Sequence, residues 1–501
     1  MKVRTLTAPL SHREAWAKRV TIIREALGGR EIPTPANLTS DQLAGVLSDV
    51  VDVTDRSHVW LVLSALTGVL PSTQLVIETS RFGEFDNGKS LWTAVADQTT
   101  DTSAGWEVQI VLDRYVIDVA HTAATNLTTG IQRVVRETTR RWMRDHGSKA
   151  VPVSWTPNFL AMRRLTPVEL DRAIGVNLEE PVERQPRTAV VVPWNSTYLL
   201  PELGAELPRT LRLAALAAFM PGSSGVIGFD CVPITSSETT AVGFADVFAR
   251  HLVAIRNFDV VATISEAAGY EYAGWRNSLS AIGVEGPQIQ PISLPVEIPD
   301  HDPLAAAEAD VRFRVADLPL VLVVGSHEPR KNHLAVLHAA EILWREGHRF
   351  SLSFVGGGAW GGDAFDLRIA ELQRIGRPVD TESKLSDRLL WAAYRMARFT
   401  VFPSLNEGFG LPLAESLAAG VPAVTSNFGS MREIAEDGGA LMVDPHDDHA
   451  LTCAMRTLLT DDAVHARLTA EARARAAHPR TWDDYAAEVW NALAGDTEST
   501  T

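Results

Sequence analysis

From residue 108 to about residue 300, short runs rich in Val and Ile alternate with stretches whose apolar residues recur at helical spacing. Residues 108–123 predict strands. Residues 126–143 predict a glycine turn and then a helix, because Ile131, Val134 and Trp142 fall on one helical stripe. Later strands are predicted at 188–194, 224–234 and 259–265. Strands that alternate with helices predict a parallel sheet covered by helices on both faces.

A second region of the same kind begins near residue 318. Residues 296–318 are polar and contain prolines, which predicts a linker. Residues 320–344 then predict a strand, a loop and a helix. Further strands are predicted at 351–358, 399–404, 422–426 and 440–443. Two consecutive α/β domains predict a ligand cleft between the carboxyl ends of their sheets.

The first 107 residues carry no motif that points to chemistry. Ser40 marks the start of a predicted helix, residues 59–70 predict a buried helix, and residues 74–85 predict a strand and a turn. We interpret residues 1–107 as an accessory α+β module, with homo-oligomerisation as one role for it.

Composition narrows the classes of function. The chain has 501 residues, which is too long for one ordinary core, and its 46% hydrophobic and 22% charged residues are typical of a soluble globular protein. The net charge of −16 argues against a nucleic-acid partner, but it permits a phosphorylated ligand, which needs only a local positive pocket. The two cysteines, Cys231 and Cys453, exclude a disulfide framework and make a structural zinc site a poor prediction.

Two observations bear on location. The N-terminus lacks the apolar segment of a signal peptide, and the longest apolar runs are too short to span a bilayer, so a cytoplasmic location is expected. Residues 132–149 carry five arginines, a lysine and a tryptophan. We interpret this stretch as a solvated basic face, with peripheral membrane contact as the alternative.

The first candidate site motif is GSHEPRKNH at 325–333, between a predicted strand and a predicted helix. Gly325 permits a tight turn, and Arg330 and Lys331 lie at the helix start, where free N–H groups already favour an anion. The pair suits a diphosphate, or it is an ordinary solvated basic pair. The glycines at 356–358 predict a second loop of close approach, which is weak evidence by itself.

The second motif, NEGFGLPLAE, places Glu407 and Glu415 around a glycine-rich corner. Gly408 and Gly410 expose backbone amides, and Pro412 fits the first turn of a helix. Each carboxylate can accept hydrogen bonds from vicinal hydroxyls, one set on a sugar and one on a ribose. The alternative is a pair of glutamates that cap a helix, which explains one of them more easily than both.

These motifs, in this order, resemble the donor-site signature of the retaining GT-B glycosyltransferases of family 4, the glycosyl transferases group 1. The resemblance also includes TGIQRVVRE near residue 130 and TWDDYAAEVW at 481–490, and it covers roughly residues 110–495. It implies an α/β protein of GT-B architecture, with two Rossmann-like doubly wound domains facing a cleft. The acceptor-side domain would span 108–297 and the nucleotide-sugar donor domain 318–480. A last helix, 481–497, would cross back to the first domain.

The resemblance assigns roles to residues. Arg330 and Lys331 would hold the donor diphosphate and stabilise the leaving group, Glu407 would contact the transferred sugar at the reacting centre, and Glu415 would bind the ribose. The remaining donor contacts would come from Gly130, Gly325, Gly408, Phe409, Gly410 and Leu411. The base would lie near Arg377 and Val379, and neither a metal nor a cofactor would be required.

One departure from the family concerns the acceptor side. Many relatives carry a His-Asp pair after a first-domain strand, whereas GFDCVPI at 228–234 has Phe229 in place of the histidine. Asp230 is a candidate for binding the acceptor or the sugar, or it only caps a loop. His121 follows a predicted strand and is a second candidate, although a lone histidine is more often structural.

The function expected from the resemblance is retaining transfer of a hexose, with mannose or rhamnose favoured. The donor would be a nucleoside-diphosphate sugar and the acceptor a hydroxyl of a glycan or a lipid-linked molecule, in surface polysaccharide synthesis. A catalytically weak sugar-nucleotide-binding scaffold subunit is the alternative from another class. An epimerase or a phosphorylase on the same fold is a third hypothesis, which the two motifs disfavour.

Overall fold

The computed structural model describes residues 9–30, 39–127, 129–176, 178, 189–383, 385–475 and 480–495. The strands are β1 Glu107–Leu112, β2 Tyr115–Asp118, β3 Ala150–Trp155, β4 Met162–Arg164, β5 Ala189–Trp194, β6 Ser196–Leu200, β7 Gly222–Gly228, β8 Val260–Thr263, β9 Gln288–Pro291, β10 Leu320–Val324, β11 Ser351–Val355, β12 Val379–Glu382, β13 Phe399–Phe402, β14 Ala423–Ser426 and β15 Ala440–Val443.

The helices alternate with these strands after residue 107. They are α1 Leu10–Ala26, α2 Ser40–Leu47, α3 Arg56–Thr67, α4 Thr73–Asp86, α5 Lys89–Gln98, α6 Asp101–Ala104, α7 Ala120–Ala124, α8 Gly130–His146, α9 Pro167–Ala173, α10 Leu207–Phe219, α11 Val232–Thr235, α12 Phe244–Ile255, α13 Glu266–Leu279, α14 Pro303–Phe313, α15 His333–Arg345, α16 Asp363–Arg374, α17 Asp387–Met396, α18 Leu411–Ala418, α19 Gly429–Ala435, α20 Asp448–Thr460, α21 Asp462–Arg475 and α22 Trp482–Ala494.

The first sheet has the strand order β1-β5-β4-β3-β2-β6-β7-β8-β9 within the described residues. Its strands are parallel except β4, which runs antiparallel to β3 and β5. The order of the chain reverses on the two sides of β2, so β2 marks the topological switch point of this sheet. In open α/β sheets, ligands bind outside the carboxyl ends of the strands at such a point.

The second sheet has the order β12-β11-β10-β13-β14-β15 and is parallel throughout its described strands. The chain adds strands on one side of β10 first and then on the other, so the strand order reverses between β10 and β13. The loops that follow these two strands carry the two candidate motifs, at 325–333 and at 403–410. The prediction of two doubly wound α/β domains is confirmed, and the motifs lie where the topology opens a crevice.

Helix α22 lies on the first domain, although it follows the second in sequence. The indole N–H of Trp142 on α8 donates to the carbonyl of Ala486 at 3.0 Å, and Trp490 stacks on His146 with 3.7 Å between ring centroids. A Cβ on Gly225 of β7 would lie only 2.9 Å from Leu493. The chain therefore joins the two domains twice, before β10 and before α22.

The predicted linker at 296–318 contains helix α14. Pro303 occupies the first turn, where a missing N–H costs nothing, and the Asp302 carboxylate accepts from the N–H groups of Leu304 and Ala305. Ala309 is buried against the second domain. The prolines and acidic residues mark a capped helix start.

The strand predicted over 74–85 is wrong, because these residues belong to helix α4. Ser72 caps the helix, and Val76, Thr79, Ser80 and Gly83 are buried at positions i, i+3, i+4 and i+7. The β-branched residues of this segment favoured the prediction of a strand over this helical spacing. The accessory region is therefore helical over its described residues, not α+β, whereas the buried helix predicted over 59–70 is found as α3.

The accessory helices share a core with the first domain. Helices α1 and α3 pack on β1, α3 also packs on β5, and Trp16 and Trp60 belong to the same buried cluster as Val191. The buried Arg19 guanidinium donates to the carbonyls of Leu66, Ser103 and Trp106, each at 2.7 Å. The described helices thus extend the first domain beyond its β1–β5 edge.

Candidate active site

A cleft of about 820 Å³ separates the two domains at the carboxyl ends of β10 and β13. The first domain contributes the start of α8 and the loop after β7, and the second contributes the two motif loops and the start of α18. The predicted site residues in its lining are Gly130, Asp230, Gly325, Arg330, Lys331, Glu407, Gly408, Phe409, Gly410, Leu411 and Glu415.

The loop after β10 is shaped by three residue types with special backbone properties. Gly325 has a φ of 150°, and its carbonyl oxygen lies so close to Gly356 that a Cβ there would approach it to 1.9 Å. Pro329 opens a single helical turn that ends at Lys331. Asn332 follows in the left-handed conformation, with a φ of 56°, and its side-chain amide donates to the carbonyl of Pro445 at 2.8 Å. This turn directs Arg330 and Lys331 toward the loop after β13.

Glu407 lies between the two cations. Its Oε1 accepts from Lys331 Nζ at 2.6 Å, and its Oε2 is 2.5 Å from a guanidinium nitrogen of Arg330. Burial by itself would raise the pKa of Glu407, but the charges of Arg330 and Lys331 outweigh burial and lower that pKa to about 2. The carboxylate is therefore ionised at neutral pH and holds two cations at the crevice.

Further contacts fix this group. Arg330 also donates to the carbonyl of Asn406 at 2.7 Å and to the Glu328 carboxylate at 2.6 Å. Ser430 donates to the carbonyl of Glu407 at 2.9 Å. The group can receive an anion without large rearrangement, because Arg330 and Lys331 hold several donors at a fixed spacing.

Glu415 lies one turn into α18 and is buried. Its Oε1 accepts from Arg133 on α8 at 2.8 Å, and its Oε2 accepts from the Tyr394 hydroxyl on α17 at 3.0 Å. Burial raises the pKa of Glu415, and the Arg133 charge opposes that rise. The contact with Arg133 joins the two domains across the cleft.

Gly408 touches the first domain directly. A Cβ at this position would lie 2.6 Å from the carbonyl oxygen of Phe229 and 2.9 Å from a carboxylate oxygen of Asp230. The Ser265 hydroxyl donates to the carbonyl of Gly408 at 2.6 Å. Burial raises the pKa of Asp230 to about 6, against the opposing charge of Arg330. Asp230 thus lies opposite Glu407, and Phe229 packs in the core behind it.

We expect Gly408→Ala to fold but to hold the domains apart, because the Phe229 carbonyl oxygen and the Asp230 side chain of the other domain occupy the space that a methyl group needs. Small-angle scattering should show a larger radius of gyration than the parent protein has. Gly358→Ala is the matched control, since a Cβ there meets nothing within 4 Å. An unchanged radius of gyration for Gly408→Ala would show that the loop yields locally instead.

The part of this site that the second domain contributes matches a known family. A sequence model of the glycosyl transferases group 1 family matches residues 308–475, the range that carries both motif loops. The second domain belongs to the glycosyl transferases group 1 family. The matched range begins in α14 and ends with α21, so it contains the whole second sheet.

Curated proteins similar to this chain include two from Escherichia coli. The serotype-specific mannosyltransferase WbdA is 24% identical over 336 residues, which are 65% of this chain and 40% of WbdA. The O-antigen chain mannosyltransferase B is 32% identical over 182 residues, 36% of this chain and 47% of that protein. This chain thus spans less than half the length of either relative.

Solved structures show the same two-domain GT-B fold. The Anabaena protein Alr3699/HepE, crystallised with UDP and glucose, superposes with a TM-score of 0.55 at 13% identity, over 76% of this chain and 99% of that chain. Sucrose-phosphate synthase from Thermosynechococcus elongatus superposes with a TM-score of 0.53 at 17% identity, over 75% of this chain and 97% of that chain.

Three of the predicted site residues do not line the cleft between the two domains. Val379 begins β12 and Arg377 precedes it, so both lie at the amino end of the sheet, where Arg377 pairs with Glu341 at 2.8 Å. The carboxyl end of β12 instead leads to Leu385, which lines the cleft. Neither Arg377 nor Val379 lines the cleft, and their role in binding the base stays a prediction. His121 is exposed and contacts Gln132 at 3.3 Å, outside the lining of the cleft.

The structure adds residues that sequence reasoning missed. Asn406 reaches Glu271 on α13 at 3.2 Å, and Glu433 of the group 1 domain accepts from the backbone N–H groups of Glu266 and Ala267. Arg133 and Tyr394 both bind Glu415. Arg133 and Asn406 were within reach of the sequence, because each lies in a recognised motif, three positions after Gly130 and directly before Glu407. Tyr394 and Glu271 lie in segments without any such signal.

The arginines of α8 are engaged within the protein. Arg133 pairs with Glu415, and Arg136 donates to the carbonyls of Arg172, Leu127 and Thr125. The other three arginines pair with acidic side chains: Arg140 with Glu137, Arg141 with Glu137 and Asp483, and Arg144 with Asp145 and Asp483. The basic stretch predicted as a solvated face therefore lines the cleft at one end and holds α22 at the other.

No helix within the described ranges is both long and apolar enough to cross a bilayer. In the same residues, no three or more His, Cys, Asp and Glu side chains are grouped so as to hold a metal ion.

Proposed function

We propose that this protein is a retaining glycosyltransferase that moves a hexose from a nucleoside-diphosphate sugar to a hydroxyl acceptor. The observation that carries this proposal is Glu407 held between Arg330 and Lys331 at the switch point of the second sheet. Two cations suit a diphosphate, and a carboxylate beside them suits the hydroxyls of the attached sugar. The scaffold alternative has less support, because a site that has lost catalysis usually loses such residues, and this one keeps all three.

Each residue then has a task in the reaction. The bond between the anomeric carbon and the diphosphate oxygen breaks while the acceptor oxygen bonds to the same face of that carbon. The acceptor proton passes to the departing phosphate oxygen. Arg330 and Lys331 stabilise the charge that develops on the diphosphate, which is the largest electrostatic demand of this chemistry. Glu407 holds the sugar and Glu415 the ribose, and on this mechanism no metal is required.

Mannose is the sugar that we propose first and rhamnose second. The names of the two Escherichia coli relatives support mannose, and the name of one of them refers to the O-antigen chain. We propose a glycan or a lipid-linked glycan as the acceptor, in surface polysaccharide synthesis in the cytoplasm. Asp230, across the cleft from Glu407, is the candidate to contact the acceptor hydroxyl.

Thermal unfolding with added nucleotides tests the donor site. GDP, UDP and their mannose or glucose conjugates should be compared in a buffer with EDTA, since a ligand that binds only the folded state raises the melting temperature. We expect a concentration-dependent rise with one nucleotide family. Incubation of that conjugate with and without a glycan acceptor should then yield a glycoside only with the acceptor. No rise with any nucleotide would contradict the proposed function. Binding without transfer would favour the scaffold.

A further inference from the structure

The Arg133–Glu415 ion pair joins the two domains inside the cleft. Arg133 belongs to α8 of the first domain, and Glu415 belongs to α18 of the second. The glutamate side chain is 6% exposed and the arginine side chain 34%, so the carboxylate is buried and the guanidinium reaches it from the cleft. The pair is therefore part of the cleft wall and not a surface contact.

The hydrogen bonds of Glu415 leave a defined number of free acceptor positions. An ionised carboxylate has about four acceptor positions, two on each oxygen. Arg133 occupies one on Oε1 at 2.8 Å, and Tyr394 occupies one on Oε2 at 3.0 Å. After these two hydrogen bonds, each carboxylate oxygen keeps one acceptor position. Two such positions match the two adjacent hydroxyls of a ribose.

We infer that Arg133 is a positioning residue of the donor site, which orients the Glu415 carboxylate from the first domain so that it can accept both ribose hydroxyls of the donor. This inference rests on the proposed function. Tyr394 fixes one carboxylate oxygen within the second domain, and Arg133 fixes the other only when the domains are closed. Binding of the nucleotide and closure of the cleft thereby stabilise each other.

The charges around Glu415 give this role a second signature. Arg133 approaches it from α8, and Tyr394 and Asp387 lie on α17. Burial raises the pKa of Glu415, Arg133 and the Tyr394 hydrogen bond lower it, and Asp387 raises it. Without Arg133 the carboxyl group takes up a proton at a higher pH. Nucleotide affinity should then begin to fall at a higher pH than in the parent protein as the solution is acidified.

The decisive experiment compares nucleotides with and without ribose hydroxyls. Affinities for GDP and UDP, and for their 2′,3′-dideoxy analogues, are measured by calorimetry on the full chain and on Arg133→Gln. For the nucleotide that binds the parent protein, we expect Arg133→Gln to weaken affinity about tenfold, as for loss of a hydrogen bond between charged groups. For the dideoxy analogue we expect almost no difference between the two proteins. An equal loss for both nucleotides would overturn the inference, because it would place the effect on the phosphates or on the fold.

Two further variants complete the test. Arg144→Gln removes another arginine of α8 that pairs outside the cleft, and it should leave nucleotide affinity unchanged. Arg133→Gln should add little to the loss caused by Glu415→Gln, since the arginine acts through that carboxylate. Fully additive losses would contradict the inference. Failure of the parent protein to bind any nucleotide would instead contradict the proposed function, so the two failures are distinguishable.

Discussion

Replacement of Glu407 by Gln is expected to reduce sugar transfer at least about a hundredfold while the affinity for the nucleoside diphosphate is kept or increases. The loss follows because the carboxylate that holds the sugar at the reacting centre is gone, and misplacement of a substrate costs about that much. The affinity is kept because Arg330 and Lys331 no longer share their donors with Glu407. Steady-state rates and calorimetric titration with the nucleoside diphosphate measure the two effects separately.

The same variant should be less stable without ligand. Removal of one partner from a buried ion pair costs about 3–5 kcal/mol, because the remaining charges lose their counter-ion. The pKa of Glu407 is lowered to about 2, so its stabilisation is present above the unfolded value of about 4.5 and is lost as the pH falls toward 2. Glu407→Gln should lack this part of the acid sensitivity, and added nucleoside diphosphate should restore part of its melting temperature.

Glu328→Gln is the matched control for Glu407→Gln. Glu328 also pairs with Arg330, at 2.6 Å, but its carboxylate makes no contact with Lys331 among the described hydrogen bonds and ion pairs. Glu328→Gln should reduce the rate of sugar transfer far less than Glu407→Gln does. Full activity of Glu407→Gln, or equal losses in the two variants, would show that Glu407 serves only as a counter-ion.

Replacement of Lys331 by Ala is expected to weaken binding of the nucleoside diphosphate and to slow transfer about 10²–10³-fold, the usual effect of removing one electrostatic contact to a developing charge. Lys331 is buried between Glu407 and the ring of Phe402, whose centroid lies 5.2 Å from Nζ. No other lysine lines the cleft among the described residues. The measurement is affinity and single-turnover rate with the nucleotide sugar that binds.

A phosphate-free probe separates the charge effect from misfolding. The matching nucleoside lacks the diphosphate, so it should bind Lys331→Ala and the parent protein equally. Lys89→Ala, an exposed lysine of the accessory helices, is the matched control and should behave as the parent protein does. Unchanged affinity and rate in Lys331→Ala would show that Arg330 alone binds and stabilises the diphosphate.

The second domain was largely predictable from sequence because its site is local. The PRKN turn and the NEGFG corner each combine a strand end, a glycine or proline of fixed conformation and a charged side chain within a few residues. Short-range geometry of this kind depends on neighbours in sequence, so pattern and resemblance locate it. The accessory region was predicted less well. The β-branched residues of α4 favoured a strand over the helical spacing of its other residues. The helix forms because its apolar face is buried against α3 and α10.

By itself, the sequence determined the alternation of strands and helices, the two α/β domains and the loops that carry Arg330, Lys331, Glu407 and Glu415. The tertiary structure decided which of these groups meet. Residues 331 and 407 lie 76 positions apart, and Arg133 and Glu415 lie 282 positions apart. Such contacts depend on the order of strands within a sheet and on the approach of one domain to the other. The tertiary structure also places Arg377 away from the cleft. The direction of β12 puts its first residues at the opposite end of the sheet.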